Sequence, residues 1–255
     1  DLAITDLSSS GDGLCRWQER VVFVPDTVPG DMVRARLVQA KPTFGRAKVR
    51  QLLTPSPDRV RASCIVADKC GGCQWQSVDY SAQMVAKQQQ VLDALTRIGG
   101  FENPKVLPIL AAEAPLGYRN KATYPLGRSP EGQVKAGYFR QGSHKLVNLN
   151  QCPVQDERLN PLLAEVKRDI QERGWSIYNE SKHQGRLRHL ALRVGRRTGQ
   201  QLLTLVSTAP NLKDIELQAQ EWRDRYPDLV GVCVNLNPDK TNAIFGAETL
   251  VIDGV

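Results

Sequence analysis

Three cysteines fall within ten residues, in the run Cys64-x5-Cys70-Gly71-Gly72-Cys73. Thiolates crowded on a glycine-relieved turn are what a metal ion or an iron–sulfur cluster requires, because soft sulfur ligands bind zinc and iron. A fourth ligand has to come from elsewhere. Cys152 is the best choice because Pro153 follows it, and iron–sulfur ligand runs often close on Cys-Pro. Spacing alone leaves structural zinc, an iron–sulfur cluster and incidental thiols open, in that order. The ligand count has a consequence: three cysteines would leave one iron open for chemistry, whereas four would close it and point to a structural or redox-sensing role. Cys15 and Cys233 sit in strand-like patterns and read as small buried hydrophobes.

A second set of residues pairs cations with rings and strand positions: Tyr118-Arg119-Asn120-Lys121, Tyr138-Phe139-Arg140 and the Arg186–Arg193 stretch with Arg188. Single-stranded RNA readers need this combination, with cations for phosphates, rings for stacking and an amide for a base edge. Ordinary surface ion pairs would explain the same arginines. His144, His183 and His189 lack metal-ligand spacing to one another and read as surface or core histidines. No paired carboxylate, nucleophile elbow or glycine-rich phosphate loop is present.

The elements that must position these residues follow from periodicity. Residues 1–57 alternate over Val21–Val24, Met32–Val38 and Ala47–Leu52 between turn signals, and end at Pro55-Ser56-Pro57. About five short strands in such a length predict a small closed barrel, which leaves no sheet edge exposed. Its second half carries Arg34, Arg36, Lys41, Arg46, Lys48 and Arg50. From Asp79 the period becomes helical, with Met84, Val91, Leu95 and Ile98 as a stripe before Gly99-Gly100. Strands are expected around Ala122–Leu126, Val134–Phe139 and Lys145–Leu149. A helix follows, with Asn160 as its cap, Pro161 as its first residue and Leu159, Leu162, Val166 and Ile170 as its stripe. Strands at His189–Val194, Gln201–Ser207, Leu229–Asn235 and near Leu250–Ile252 surround a third helix bearing Leu212, Ile215, Ala219, Trp222 and Tyr226. The expected class is α+β: an OB-like five-stranded barrel, a cysteine-bearing segment, and an α/β domain with a mixed or antiparallel sheet spanning the rest of residues 58–255.

Composition narrows the function. The chain has 255 residues, 34 Lys+Arg against 27 Asp+Glu, and a net charge of +7. That excess is a weak pointer to a polyanion, made useful by its clustering. Six cysteines in this length are too few for a disulfide scaffold. No apolar run approaches the ~20 residues of a membrane helix, and the N-terminus has no signal-peptide pattern, so a cytoplasmic location is expected. The chain opens on Asp1 without Met and closes on Asp253-Gly254-Val255, as a cut through a longer protein would.

Taken together, Cys64-Ile-Val-Ala-Asp-Lys-Cys-Gly-Gly-Cys-Gln-Trp-Gln76, the barrel before it, Tyr118-Arg-Asn-Lys-Ala122 after it and Cys152-Pro153 beyond resemble the RNA uracil-5-methyltransferase family, with the 23S rRNA (uracil-5-)-methyltransferases as the nearest branch. The resemblance implies that residues 1–57 are a TRAM domain, with its signature running from Val22-Phe-Val-Pro25 through Pro29-Gly-Asp31. It implies a [4Fe-4S] cluster on Cys64, Cys70, Cys73 and Cys152, which reverses the zinc-first order. It places Arg119, Asn120, Lys121, Tyr138, Arg140 and Arg188, with Lys48 of the barrel, at the RNA. It further implies methyl transfer from S-adenosylmethionine to carbon 5 of an unstacked uridine, through thiolate attack at C6. Neither Cys15 nor Cys233 matches the family's nucleophile motif. The implied partner is 23S rRNA, with tRNA or a zinc-containing, non-enzymatic RNA-binding module as alternatives, and the full-length protein is expected to be a monomer. A Rossmann-like methyltransferase domain is expected to be missing beyond the C-terminus, with residues 79–112 packing against it.

Overall fold

Apolar side chains alternating with polar ones organise the N-terminal part of the chain. In the computed structural model, which describes residues 1–254, six strands form one sheet. They are β1 (Leu2–Ala3), β2 (Asp6–Leu7), β3 (Gly13–Trp17), β4 (Arg20–Val24), β5 (Met32–Ala40) and β6 (Phe44–Thr54), in the order β1-β5-β6-β4-β3-β2. β4 and β6 run parallel and the other neighbours antiparallel. Only Ile4 and Thr5 separate the two edge strands. The Ile4 N–H donates to Asp31 O at 2.9 Å and the Thr5 N–H to Leu14 O at 2.8 Å, so one bent stretch of chain borders both edges and closes the sheet. The expected five strands are thereby corrected to six, because the first is broken in two by this bend. Ile4, Cys15, Val22, Val24, Val33 and Ala47 fill the interior. The outward positions between them on β5 and β6 carry Arg34, Arg36, Arg46, Lys48 and Arg50, all exposed.

The chain divides into two units, Asp1–Asp68 with Cys73–Glu113, and Lys69–Gly72 with Ala114–Val255. Residues 55–57, where the prolines suggested a boundary, lie inside the first of these units. The physical reason is Asp31. Its carboxylate is fully buried and accepts from the Val28 N–H at 2.7 Å, the Ser56 N–H at 2.9 Å, and Arg59 Nε at 3.0 Å and Nη2 at 2.5 Å. Residues beyond the proline pair are thus tied back into the barrel. Gly30, at φ +92°, makes the turn into Asp31, and a Cβ there would lie 2.9 Å from Ser56 Oγ.

Helix α1 (Tyr80–Asp93) starts at Asp79, whose carboxylate accepts the Ser81 N–H at 2.9 Å, and passes into a π-helical turn at Ala94–Ile98. Neither segment has a buried residue. The expected stripe is not the packed face: Val91 and Ile98 are exposed, while Ala82 and Ala86 pack with Trp75 on Leu7, Val28 and Val78. Small residues let the helix approach the barrel closely, a preference that a search for large apolar side chains passes over.

The second unit is built on a seven-stranded mixed sheet in the order β13-β12-β11-β10-β7-β8-β9. Its strands are β7 (Lys121–Arg128), β8 (Val134–Phe139), β9 (Leu146–Asn148), β10 (Leu187–Val194), β11 (Gln201–Ser207), β12 (Leu229–Leu236) and β13 (Glu248–Gly254). Only β11 and β12 pair in parallel. Helix α2 (Leu159–Glu172) packs on β8 and β10, burying Leu159, Leu162, Val166 and Ile170, and α3 (Ile215–Arg225) packs on β12 and β13, burying Ile215, Ala219 and Trp222. No helix among the described residues is long and apolar enough to cross a membrane.

Removing the Asp31 carboxylate leaves Arg59 and two backbone amides without their acceptor. Asp31→Ala is expected to destabilise the first unit by about 3 kcal/mol, read as a fall in the urea midpoint. Burial acts to raise the Asp31 pKa, but the hydrogen bond from Arg59 and the amides of Ser56 and Val28 outweigh it and hold the carboxyl below its ordinary value. Its stabilising contribution is therefore complete above the unfolded value of about 3.9 and is lost as pH falls through the lower folded value. An unchanged midpoint in the variant would remove Asp31 from this role.

Candidate functional site

The run of residues 64–73 is divided between the two units. In the first unit Cys64 and Cys73 are half-buried, and the Cys64 N–H donates to Gln76 Oε1 at 3.1 Å. In the second, the Gly72 N–H donates to Cys70 Sγ at 3.4 Å. Gly71 lies against the β8–β9 hairpin: its N–H donates to Phe139 O at 2.9 Å, and a Cβ would stand 2.8 Å from that oxygen and 2.9 Å from the Gln141 nitrogen. The close approach requires glycine at this position. Gly72 has only ordinary contacts around a notional Cβ, the nearest being Cys70 Sγ and Tyr138 at 3.5 Å.

Cys152 is buried, and α2 fixes the loop that carries it. Asn160 accepts the Cys152 N–H at 3.1 Å and Gln155 Nε2 at 2.7 Å. Asn160 is therefore not the helix cap, since α2 already begins at Leu159, and Pro161 sits third in its first turn. Both placements suit the residues, because the first-turn N–H groups have no partner within the helix. Lys167, one face further along, donates to Asn148 Oδ1 at 3.1 Å, Asn150 Oδ1 at 2.5 Å and Leu149 O at 2.5 Å, gripping the residues just before Cys152. Among the described residues no group of three or more His, Cys, Asp or Glu side chains is gathered to hold a metal ion. Cys15 and Cys233 are buried, and burial pushes both thiols up, away from the thiolate a nucleophile needs.

The residues expected at RNA separate into exposed and spent. Asn120 is exposed, as is Lys121, whose Nζ stands 5.3 Å over the Phe245 ring. Arg140 is exposed in the turn between β8 and β9. Arg119 is half-buried, 6.0 Å over the Tyr138 ring. Tyr138 itself leans on Tyr124 at 5.2 Å and is largely covered, so it is a support rather than an open stacking face. Burial raises its pKa, with Arg119 pulling in the other direction. Arg188 is buried and donates to Asn237 O at 2.9 Å, Asp239 O at 2.7 Å and Thr241 O at 3.1 Å, so its fork pins a loop instead of reaching a phosphate. That placement corrects its reading as an RNA contact.

On the barrel, Lys48 pairs across from Arg36, with Arg50 two positions on. Arg34 is engaged by Asp1 at 2.8 Å and Arg46 by Asp12 at 3.8 Å. Arg36, Lys48 and Arg50 join no ion pair among the described residues. Two rings missed by the sequence reading border this face. Phe23 and Phe44 meet edge-on at 6.0 Å, with Arg46 5.4 Å over Phe23 and Lys41 5.3 Å over Phe44. The available signal was Phe23 standing between inward-facing Val22 and Val24, which turns an aromatic ring outward.

Residues 1–49 match the model of the TRAM domain. A Nostoc protein named as an uncharacterized RNA methyltransferase is 64% identical over 255 residues, which cover 100% of this chain and 55% of the relative. A Synechocystis protein of the same description is 61% identical over 254 residues, again 100% and 55%. Among solved structures, the Pyrococcus abyssi tRNA (uracil-54, C5)-methyltransferase, in complex with S-adenosyl-L-homocysteine, superposes with a TM-score of 0.67 at 26% identity, over 97% of this chain and 54% of that one. These matches show the resemblance to the RNA uracil-5-methyltransferase family along the whole chain. The chain spans about half the length of the family relatives it matches. That ratio compares lengths and identifies no domain, so the expectation of a missing C-terminal Rossmann-like domain is corrected: the fold shown is the mixed-sheet arrangement of the two units described above.

Lys167 gives the Cys152 loop a measurable signature. Burial pushes its pKa down to about 8. Between that value and the unfolded value of about 10.4, the unfolded chain binds more protons than the folded one, so Lys167 makes stability rise with pH across this window. The melting temperature of the wild type relative to Lys167→Met should therefore increase from about pH 8 to about pH 10.5. A difference that stays constant would contradict the buried-amine clasp.

Proposed function

We propose that this chain is the RNA-recognising portion of an S-adenosylmethionine-dependent RNA (uracil-C5)-methyltransferase. The observation that carries the reading is the match of the whole chain, at 64% identity, to a relative named as an RNA methyltransferase, joined to a structural likeness to a tRNA uracil-C5 enzyme. The exposed Arg36, Lys48 and Arg50 on the barrel's outer strands support it, since cations without carboxylate partners remain available to phosphates. Asn120, Lys121, Arg140 and the ring-stacked Arg119 are the contacts proposed for the second unit. S-adenosylmethionine is the methyl donor proposed for the whole protein. No cysteine of this chain is assigned to attack the uridine: Cys15 and Cys233 are buried with raised pKa values.

Cys64, Cys70, Cys73 and Cys152 are proposed to hold a [4Fe-4S] cluster. Support comes from the thiol-rich donor set, from the Gly72 N–H directed at Cys70 Sγ, and from the two-point grip of α2 on the Cys152 loop. The cluster would supply cross-linking to a loop with little apolar packing of its own. Anaerobic purification should yield about four irons and four sulfides per chain, with broad absorbance near ~400 nm. One zinc without sulfide would refute the cluster and favour an RNA-binding module of another kind.

The proposed substrate is 23S rRNA, following the sequence resemblance. One observation favours tRNA as a second reading: the solved relative is named for a tRNA uracil. Competition between transcripts of the two RNAs for the chain decides between them. In either case, with about five phosphates neutralised, affinity should fall roughly 10²-fold between about 50 and 200 mM salt, and Lys48→Ala should lower the slope by about one contact. A salt-independent affinity would sink the proposed interface.

A further inference from the structure

Within the second unit a cavity of about 410 Å³ lies beside β7 and β10, walled by Phe139, Tyr178, Arg128, Arg188 and His189 among others. Its size is in the range of small-molecule sites. The chemistry of its walls is specific. Phe139 comes from the end of β8 and stacks obliquely on His144, with ring centres 5.4 Å apart. Tyr178 comes from the segment before β10, held by a hydrogen bond between its hydroxyl and His183 Nδ1 at 2.9 Å and by the Arg188 guanidinium 4.8 Å over its ring. Two elements distant in sequence thus bring aromatic faces to one hollow.

The charges are unbalanced in one direction. Arg188 spends its donors on backbone carbonyls, and Arg128 does the same on Gly132 O at 2.6 Å and Trp175 O at 3.2 Å, with Gln171 Oε1 at 3.5 Å. Neither joins a carboxylate in an ion pair among the described residues, so two positive charges stand in the wall against the single acid Glu180. His189 adds a polar group: its Nδ1 is buried and has no hydrogen-bond partner. Buried polar atoms are ordinarily paired, and this unpaired one belongs to a residue of the cavity wall. Burial and the neighbouring Arg188 push its pKa down to about 4, so the ring is neutral near pH 7 and keeps one donor and one acceptor nitrogen.

We propose that this cavity takes an unstacked base of single-stranded RNA, with Phe139 and Tyr178 as its stacking faces and His189 as a partner for the base edge. Rings and a neutral hydrogen-bonding imidazole suit an unstacked base, while Arg128 and Arg188, their donors spent on the protein, keep the wall positive without reaching a phosphate themselves. Exposed Arg140 and Lys145 follow Phe139 in the same hairpin and offer a path for the neighbouring phosphates, which favours a strand over a free nucleotide. The inference rests on the RNA-binding reading above and assigns it a site within the second unit.

The test is fluorescence anisotropy with a labelled single-stranded RNA of about 12 nucleotides of mixed sequence, alongside an abasic ribose-phosphate strand of equal length. Phe139 is 38% exposed, so truncating it opens no core cavity. Phe139→Ala should weaken binding of the intact strand about fivefold or more, leave its salt slope unchanged, and not alter binding of the abasic strand. Phe139→Trp, which keeps a stacking face, should bind the intact strand as the wild type does. Wild-type affinity in Phe139→Ala, or equal weakening for both strands, would overturn the pocket while leaving RNA binding in place. Failure of the wild type to bind either strand would overturn the RNA reading and the pocket with it.

Discussion

The Asp31 carboxylate is the constraint on which the first unit depends. A closed six-stranded sheet this small has a core of short side chains, Cys15, Val22, Val24, Val33 and Ala47 with Ile4, and little area to bury. One buried charge with four donors around it fixes what those side chains cannot: the turn at Val28, the start of β5, the exit of β6 through Ser56, and Arg59 beyond it. Such a group is costly to bury alone and well placed only when every lone pair is used. On β5 and β6, Arg36, Lys48 and Arg50 stand on the outer face, alternating with the inward Val33 and Ala47.

The second unit solves a different problem, that of holding an irregular loop still. Residues 148–156 have almost no regular structure, yet Cys152, Val154 and Gln155 are buried. Backbone groups there need partners, and α2 provides them through Asn160 and Lys167, while Tyr124 from β7 donates to Gln155. Burial raises the Tyr124 hydroxyl far above its ordinary pKa, so it serves as a neutral donor. Three side chains from two elements converge on the loop through hydrogen bonds. A cysteine held this way has a fixed backbone, which suits a ligand position better than a mobile one.

Much of this was legible in the residues, and the gaps have physical causes. The helix at Leu159–Glu172 and the strands at Val134–Phe139 and Gln201–Ser207 carry strong periodicity and stand where it places them. β1 and β2 have two residues each, too few for any alternation to register. Asn160 was misassigned as a cap because a side chain that accepts from a helix N-terminus can equally accept from a loop, and only the fold decides which N–H arrives. Arg188 was misread for a similar reason: a strand arginine looks the same whether it faces solvent or the carbonyls of residues 237, 239 and 241. The cavity at Phe139 and Tyr178 could not have been found in sequence, since its walls meet only when β8, the hairpin turn and the segment before β10 are packed together.

The cysteines divide by environment, and that division constrains what chemistry the chain can do. Cys15 and Cys233 lie within strands where burial favours the neutral thiol, so their part is packing. Cys64, Cys70 and Cys73 lie in a loop with neither helix nor strand, where a thiolate has hydrogen-bond donors such as the Gly72 N–H within reach. Burial therefore disfavours the thiolate, which metal binding and nucleophilic attack both require, at Cys15 and Cys233. The two strand cysteines are thereby packing residues, and the thiols that lie outside strands are those of the loops, where the ligand role is proposed.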